Sequence, residues 1–349
     1  MKNYKKILLL IAVDVLAFVL ISLVILTYVF NWFGVHAEEQ TTVLARPTAT
    51  ATLEPTPTEY PSATPDPNTT ENPADIATPQ SSATPTPTPT PSGLCGGRYP
   101  DKFSYDGIIS TDTRYASENV DIEVTYYEVD GVMYQIADIY IQNIDSFLTK
   151  STRSNSEKAM TPTMAKSVNA LLAINGDMSI NSRDHGWIVR NGEELPRKYL
   201  AADICILYWD GVMETYDYKN DAIDYDAIYA KGPYQVWYFG PELMENDGSV
   251  KTKFNYIKDN FSGPNPRTVV GYYEPGHYAF IVVEGARDGS KSLGLSMVDL
   301  SQLCVDLGMT CAYNLDGGGS ATMYFNGNVF GHNTRSTSDI LYIIDTPAQ

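Results

Sequence analysis

An α+β fold of mixed or antiparallel sheets with few helices is what this sequence predicts for residues 94–349. Three observations predict it. Hairpins outnumber strand–helix–strand units, their turns carry Asp-Gly or Pro-Gly, and only two stretches have helical spacing. Residues 120–127 and 132–140 alternate as a hairpin across Asp130-Gly131. Residues 161–170 read as a helix, with Thr161 as its cap and Pro162 in its first turn, leading into an apolar strand at 171–174. A second hairpin, 204–209 with 212–216, turns at Asp210-Gly211, and a third, 268–273 with 278–284, turns at Glu274-Pro275-Gly276. Met297, Leu300, Leu303, Cys304 and Leu307 mark one face of a helix that stops at Gly308. A strand at 310–315, another at 322–325, a turn at Asn326-Gly327-Asn328 and a closing strand at 340–344 complete the pattern.

The domain is preceded by two segments of different character. Residues 1–36 hold Lys2, Lys5 and Lys6 and then an apolar run from Ile7 to Phe33. A bilayer core roughly 30 Å thick needs about 20 apolar residues in a helix, so this run is long enough to span. The lysines orient it with the amino terminus in the cytoplasm and the rest of the chain outside. A cleaved signal peptide is the rival reading, with Val35-His36-Ala37 as a small-residue cleavage site. Residues 37–93 are rich in Pro, Thr, Ser and Ala, with no apolar periodicity from which to build a core. They read as an extended, disordered stalk with a reach on the order of 100 Å or more at about 3 Å per residue.

The formal net charge of the 349 residues is −18. That balance argues against nucleic acid as a partner. Cys95, Cys205, Cys304 and Cys311 permit disulfides outside the cell, and buried free thiols equally. No Cys-x-x-Cys or histidine cluster implies a transition metal, and no cofactor is expected. A Ca²⁺ ion is left open by the many Asp and Asn side chains, although no EF-hand spacing occurs.

The chemistry concentrates at four predicted strand ends. They are Asn175-Gly176-Asp177, with Arg183, Asp184 and His185 beyond it; Arg267-Thr268; Glu284-Gly285-Ala286-Arg287; and Asn314-Leu315-Asp316-Gly317-Gly318-Gly319-Ser320-Ala321-Thr322-Met323. Three glycines in a row expose backbone N–H groups to close approach, and Asp316, Ser320 and Thr322 bracket them with a carboxylate and two hydroxyls. The triplet lacks the Lys-Ser/Thr of a phosphate loop, which excludes a nucleotide-binding reading. Strand ends converging at one rim of a sheet are where ligands commonly bind.

The ordered strings Arg-Thr-Val-Val-Gly (267–271), Val-Val-Glu-Gly-Ala-Arg (282–287), Ser-Leu-Gly-Leu-Ser (292–296) and the glycine motif resemble the phosphodiester glycosidase family. That family includes the lysosomal uncovering enzyme and bacterial surface proteins. Asn175-Gly176-Asp177, Leu207-Tyr208-Trp209-Asp210-Gly211 and Phe239-Gly240-Pro241-Glu242-Leu243 are similar to its pattern too, and the likeness runs roughly from Val120 to Asp345. Where the family often has Asp-Gly-Arg, this chain has Gly285-Ala286-Arg287, with Glu284 one place earlier.

The resemblance implies a hydrolase that releases a sugar from a phosphodiester at its anomeric carbon, an N-acetylglucosamine-1-phosphodiester or a relative in envelope or exported polysaccharide. The residue types suit that chemistry. An oxocarbenium-like transition state calls for a carboxylate at C1, for which Asp316 and Asp177 are the candidates, with Glu284 in a proton-transfer role. The leaving phosphate monoester is a weak base that needs donors more than a strong acid, and Arg267, Arg287 and the backbone of Gly317, Gly318 and Gly319 could supply them. Asn175 and Asn314 would orient sugar hydroxyls, beside Ser320 and Thr322. Trp187 and Trp237 are the first choices for sugar stacking. Two other readings stand beside this one: a non-catalytic glycan-binding module, and a glycosidase of neutral glycans.

Overall fold

The computed structural model describes residues 42–47, 94–95, 98–152, 157–177, 186–195, 202–255, 262–286 and 290–346. The apolar run 7–33, all of the Pro/Thr-rich segment except 42–47, and Arg183, Asp184, His185 and Arg287 lie outside them. No helix among the described residues is long and apolar enough to cross a membrane.

Every strand pairing described is antiparallel. A seven-stranded sheet runs in the order Cys311–Asn314, Arg267–Glu274, His277–Val283, Val132–Ile141, Val120–Val129, Arg114–Ala116, Ile109–Ser110. A five-stranded sheet runs Asn328–Gly331, Thr322–Phe325, Leu172–Asn175, Asp339–Ile343, Phe147–Ser151. A six-stranded sheet runs Thr42–Val43, Glu193–Glu194, Val189–Arg190, Pro233–Tyr238, Ile204–Tyr208, Met213–Tyr216. Three α-helices accompany them among the described residues: α1 (Thr161–Ser167), α2 (Tyr225–Lys231) and α3 (Met297–Asp306). The α+β expectation therefore holds.

Each sheet gives one face to a shared core and covers the other with one helix. Along His277–Val283, Tyr278, Phe280 and Val282 enter the shared core beside Val270, Phe147, Leu341 and Trp237. The alternate residues Ala279, Ile281 and Val283 pack under Met297, Leu300 and Cys304 of α3. Burial on both faces explains why these strands read as unbroken apolar runs rather than alternating ones. In the same way α2 covers the six-stranded sheet through Ile228, and α1 covers the five-stranded sheet through Met164 and Ala165.

The structure amends several local expectations. Met160, not Thr161, is the residue before α1, which ends at Ser167. Helix α2 and the short hairpin Val189–Arg190 with Glu193–Glu194 were not foreseen, although Asp224 caps α2 and Gly232 closes it in the left-handed conformation. Residues 42–47, inside the expected stalk, join the six-stranded sheet because Thr-Thr-Val-Leu is a β-prone run that finds an open edge. Trp187 and Trp237 are not stacking platforms. Both are fully buried, Trp237 against Phe147 and Trp187 against Tyr225 and Tyr229. All four cysteines are unpaired thiols.

Candidate active site

The glycine motif leaves the seven-stranded sheet beside the end of strand Leu172–Asn175, and Asn175 joins the two. Its Oδ1 accepts from Thr268 Oγ1 at 2.8 Å and from the Thr322 N–H at 3.2 Å, while its Nδ2 donates to the Asp316 carbonyl at 2.6 Å. An amide with both ends committed, and fully buried, is positioned to hold three segments in register rather than to meet a sugar. Asp316 N–H donates to the Gly176 carbonyl at 3.1 Å, so the two Asp-bearing strand ends lie side by side.

The glycines serve this junction. A Cβ on Gly317 would stand 2.4 Å from the Pro266 carbonyl oxygen, so only glycine fits there. Gly318 adopts φ +62°, with nothing near the place a Cβ would occupy. Its N–H donates to the Pro266 carbonyl at 3.1 Å, and the Gly317 N–H bonds the Asp316 carboxyl. These two N–H groups are therefore spent within the loop. The Gly319 carbonyl accepts from the Thr334 and Arg335 N–H groups, both at 3.0 Å, which ties the motif to a loop the sequence did not single out.

That loop supplies the cation. Arg335 Nη2 donates to both Asp316 oxygens, at 2.8 and 2.7 Å, and to the Gly317 carbonyl, while Nε donates to Ser320 Oγ at 2.8 Å. The Arg335 side chain is 51% exposed and that of Asp316 is 7% exposed, so the pair opens to solvent on the arginine side. Burial pushes the Asp316 carboxyl above the ordinary aspartate range, although Arg335, Ser320 and the Gly317 N–H all pull it down. Thr322 Oγ1 accepts from the Asn333 N–H at 2.9 Å, and the Asn333 Oδ1 is buried with no hydrogen-bond partner. His332 Nε2 accepts from the Gly285 N–H at 2.9 Å, which brings the Glu284 loop to the same rim. Glu284 itself accepts from Gln135 Nε2 and Ser290 Oγ, at 3.1 and 2.9 Å.

Asp177 has a different environment. Arg190 Nη2 donates to both of its oxygens at 2.8 Å and lies 3.3 Å from Asp339 Oδ2, all three side chains being buried. The Tyr238 N–H adds a bond at 2.8 Å. Burial opposes ionisation of Asp177, but Arg190 and the hydrogen bonds outweigh it and hold the carboxyl below its ordinary range. Gly176 is required beside them, since its Cβ would meet Asp339 Oδ2 at 2.4 Å.

Arg267, expected at a phosphate, is buried and donates to the Leu295 and Gly263 carbonyls at 3.1 and 2.7 Å. It braces the turn before its own strand. Asn314 Nδ2 donates to the Gly240 carbonyl at 2.8 Å, while its Oδ1 is buried with no partner. Arg287 lies outside the described residues. Next to Gly240, Glu242 pairs with Lys251 Nζ at 2.7 Å, and Lys251 also faces Asp217 at 3.4 Å and Glu245 at 3.7 Å. Asp203 accepts from Asn255 Nδ2 at 2.9 Å in the same cluster. No group of three or more His, Cys, Asp or Glu placed to hold a metal occurs among the described residues.

The sequence pattern of the phosphodiester glycosidase family matches residues 168–344, about half of the chain and the whole of this junction. The chain belongs to the phosphodiester glycosidase family. Within the family's span lie both carboxylate–arginine groups, while the strands from Ile109 to Ser151 and the segment 42–47 fall outside it. A SPbeta prophage-derived uncharacterized protein, YomE, of Bacillus subtilis (strain 168) is 28% identical over 163 residues, 45% of this chain and 24% of that protein. The chain thus matches about a quarter of that relative's length. The catalytic domain of zebrafish N-acetylglucosamine-1-phosphodiester alpha-N-acetylglucosaminidase, auto-inhibited by its pro-peptide, shares the fold. It superposes with a TM-score of 0.50 at 18% identity, covering 65% of this chain and 83% of that domain.

Proposed function

We propose that this member of the family is an extracellular, membrane-anchored hydrolase that cleaves the sugar C1–O bond of a sugar-1-phosphodiester in envelope or exported polysaccharide. The observation that carries the reading is the Asp316–Arg335 pair, the carboxylate–guanidinium contact of the junction that reaches solvent. Asp316 is the carboxylate set beside C1, where it stabilises or attacks the oxocarbenium-like centre. Arg335 orients it and turns the remainder of its guanidinium to the phosphoryl oxygens of the leaving group, whose low basicity removes the need for a strong general acid. Asp177, sealed against Arg190 and Asp339, fixes the floor on which Asp316 stands. Glu284, held by Gln135 and Ser290 next to the His332 contact, is the carboxylate available for proton transfer at the rim. The apolar run 7–33, following three lysines, supports the anchored and exported placement.

The experiment is incubation of the purified chain with N-acetylglucosamine-1-phosphodiesters, with free sugar and phosphomonoester measured together. Equimolar release of both is expected, and Asp316→Asn abolishes it. Saturable binding with no bond cleavage would assign the surface to glycan recognition instead. Undiminished turnover by Asp316→Asn would remove this residue from the chemistry.

A further inference from the structure

The Pro/Thr-rich segment is flanked by two described stretches, and both end on the same turn. Before it, Thr42 and Val43 pair with Glu194 and Glu193 at the edge of the six-stranded sheet, and the Leu44 N–H donates to the Gly192 carbonyl at 2.7 Å. Leu44 packs against the cluster under α2. The Arg46 guanidinium stands 5.0 Å from the centroid of the Trp209 ring and 3.2 Å from Asp145 Oδ2. Pro47 lies against Gly232, where a Cβ would come within 2.4 Å of its Cγ. After the segment, the Leu94 N–H donates to the Gln142 carbonyl at 2.9 Å, and the Leu94 side chain lies 3.0 Å from where a Cβ on Gly211 would be. Trp209 and Gly211 belong to one tight turn, closed by Tyr208 N–H to Val212 O at 2.9 Å and Gly211 N–H to Tyr208 O at 3.0 Å.

We propose that residues 42–47 are an intramolecular clip, seated in a receptor made by the open edge of Glu193–Glu194, Trp209 and the bare backbone of Gly232. The clip ties both ends of residues 48–93 to the Tyr208–Val212 turn. Edge-strand addition supplies its backbone bonds, and the contacts of Leu44 with the cluster under α2 and of Arg46 with Trp209 and Asp145 supply its register. The chain's own segment is the favoured occupant because the tether holds it at high effective concentration. Val43 is 75% exposed and Arg46 more than half exposed, so the clip is held by few buried contacts and can be released.

The consequence is a change of reach. With the clip seated, residues 48–93 add nothing to the distance between the domain and residues 1–41. On the membrane-anchored reading proposed above, the spacer is then residues 34–41 alone, at most about 30 Å when extended. With the clip released, residues 34–93 become one spacer of up to roughly 200 Å. The expected stalk is then the released form only.

The test needs no substrate and no membrane, so it fails or succeeds separately from the enzymatic reading. In the 349-residue chain, Thr42→Cys is combined with Glu194→Cys, which are direct partners across the antiparallel pair. Mild oxidation is followed by peptide mass mapping and non-reducing electrophoresis. The seated clip gives an intramolecular disulfide that forms at least tenfold faster than that of a control pair, Thr42→Cys with the out-of-register Lys219→Cys. Adding Leu44→Asp, or separately Trp209→Ala, slows it tenfold. Leu44→Asp also enlarges the hydrodynamic radius, and the pre-formed 42–194 disulfide abolishes that enlargement. Crosslinking no faster than the control overturns the clip, and disulfides found only between chains assign the segment to a second copy.

Discussion

Two aspartates at neighbouring strand ends meet arginine in opposite ways. Asp316 is buried on one side and open on the other, through an arginine half of whose side chain is exposed. Asp177 is sealed with Arg190 and Asp339, none of them reaching solvent appreciably. The consequences for charge run in opposite directions: burial wins at Asp316 and raises its carboxyl, while the guanidinium wins at Asp177 and lowers it. A carboxylate whose ionised form is disfavoured by the fold, yet retained at a solvent-facing rim, is a cost to stability that a reaction can exploit. A carboxylate favoured by the fold is a fastening. On the proposed reading, the same residue types separate into chemistry and structure by which side of the pair touches water.

The largest expected effect is on the open pair. Asp316→Asn should reduce kcat/KM by on the order of 10³-fold or more. Its stability effect has the opposite sign. A raised carboxyl contributes stability below the unfolded aspartate range, which is lost as pH rises through the folded value, so the neutral amide should unfold at an equal or higher temperature at pH 7. Loss of both activity and stability would place Asp316 with the fastenings. The next effect belongs to the sealed group: Arg190→Met leaves two buried carboxylates without their cation and should cost about 3–5 kcal/mol in denaturant unfolding. Arg335→Ala is expected to be smaller in both respects, lowering activity roughly 10–100-fold with little change in stability, because its exposed half is already solvated. If Arg335→Ala destabilises as much as Arg190→Met, the contrast between the two pairs fails.

What the sequence disclosed and what it withheld follow from the range of each interaction. Asp130-Gly131 announced its hairpin because both residues need positive φ, and they have +50° and +78°. The glycine motif and Asp316 were legible for a similar local reason, since Gly317 admits no Cβ against Pro266. The ion-pair partners were not. Arg335 lies 19 residues from Asp316, and Asp339 lies 149 from the Arg190 it shares with Asp177, with no periodicity connecting them. Arg267 illustrates the converse error: an arginine at the start of a strand looks the same whether it faces a phosphate or caps two carbonyls. Helix α2 was missed among tyrosines and aspartates, although Asp224 and Gly232 carried its start and stop signals.

The acidic cluster behind Gly240 extends the comparison to pH. Burial drives Asp203 up to about 6, with Asp217 adding to it, against the pull of Asn255 and two backbone N–H groups. Burial drives Glu242 up to about 7, with Asp203 adding to it, even though Lys251 sits 2.7 Å away. Both carboxyls ionise near pH 4 in the unfolded chain, so their contribution is complete below that range and is lost as pH rises through about 6 and 7. Asp177 and Asp217, held low, act in the other direction and withdraw their support as the medium becomes more acidic than the ordinary aspartate range. Thermal unfolding should therefore peak in weak acid, with the midpoint at pH 5 above that at pH 8. The decline amounts to up to about 1.4 kcal/mol per group for each pH unit between its unfolded and folded values. Asp203→Asn combined with Glu242→Gln should flatten that decline while leaving the acid limb in place, because the acid limb belongs to Asp177 and Asp217. An unchanged slope in the double variant would mean that the alkaline loss originates elsewhere, with the open Asp316–Arg335 pair the next place to look.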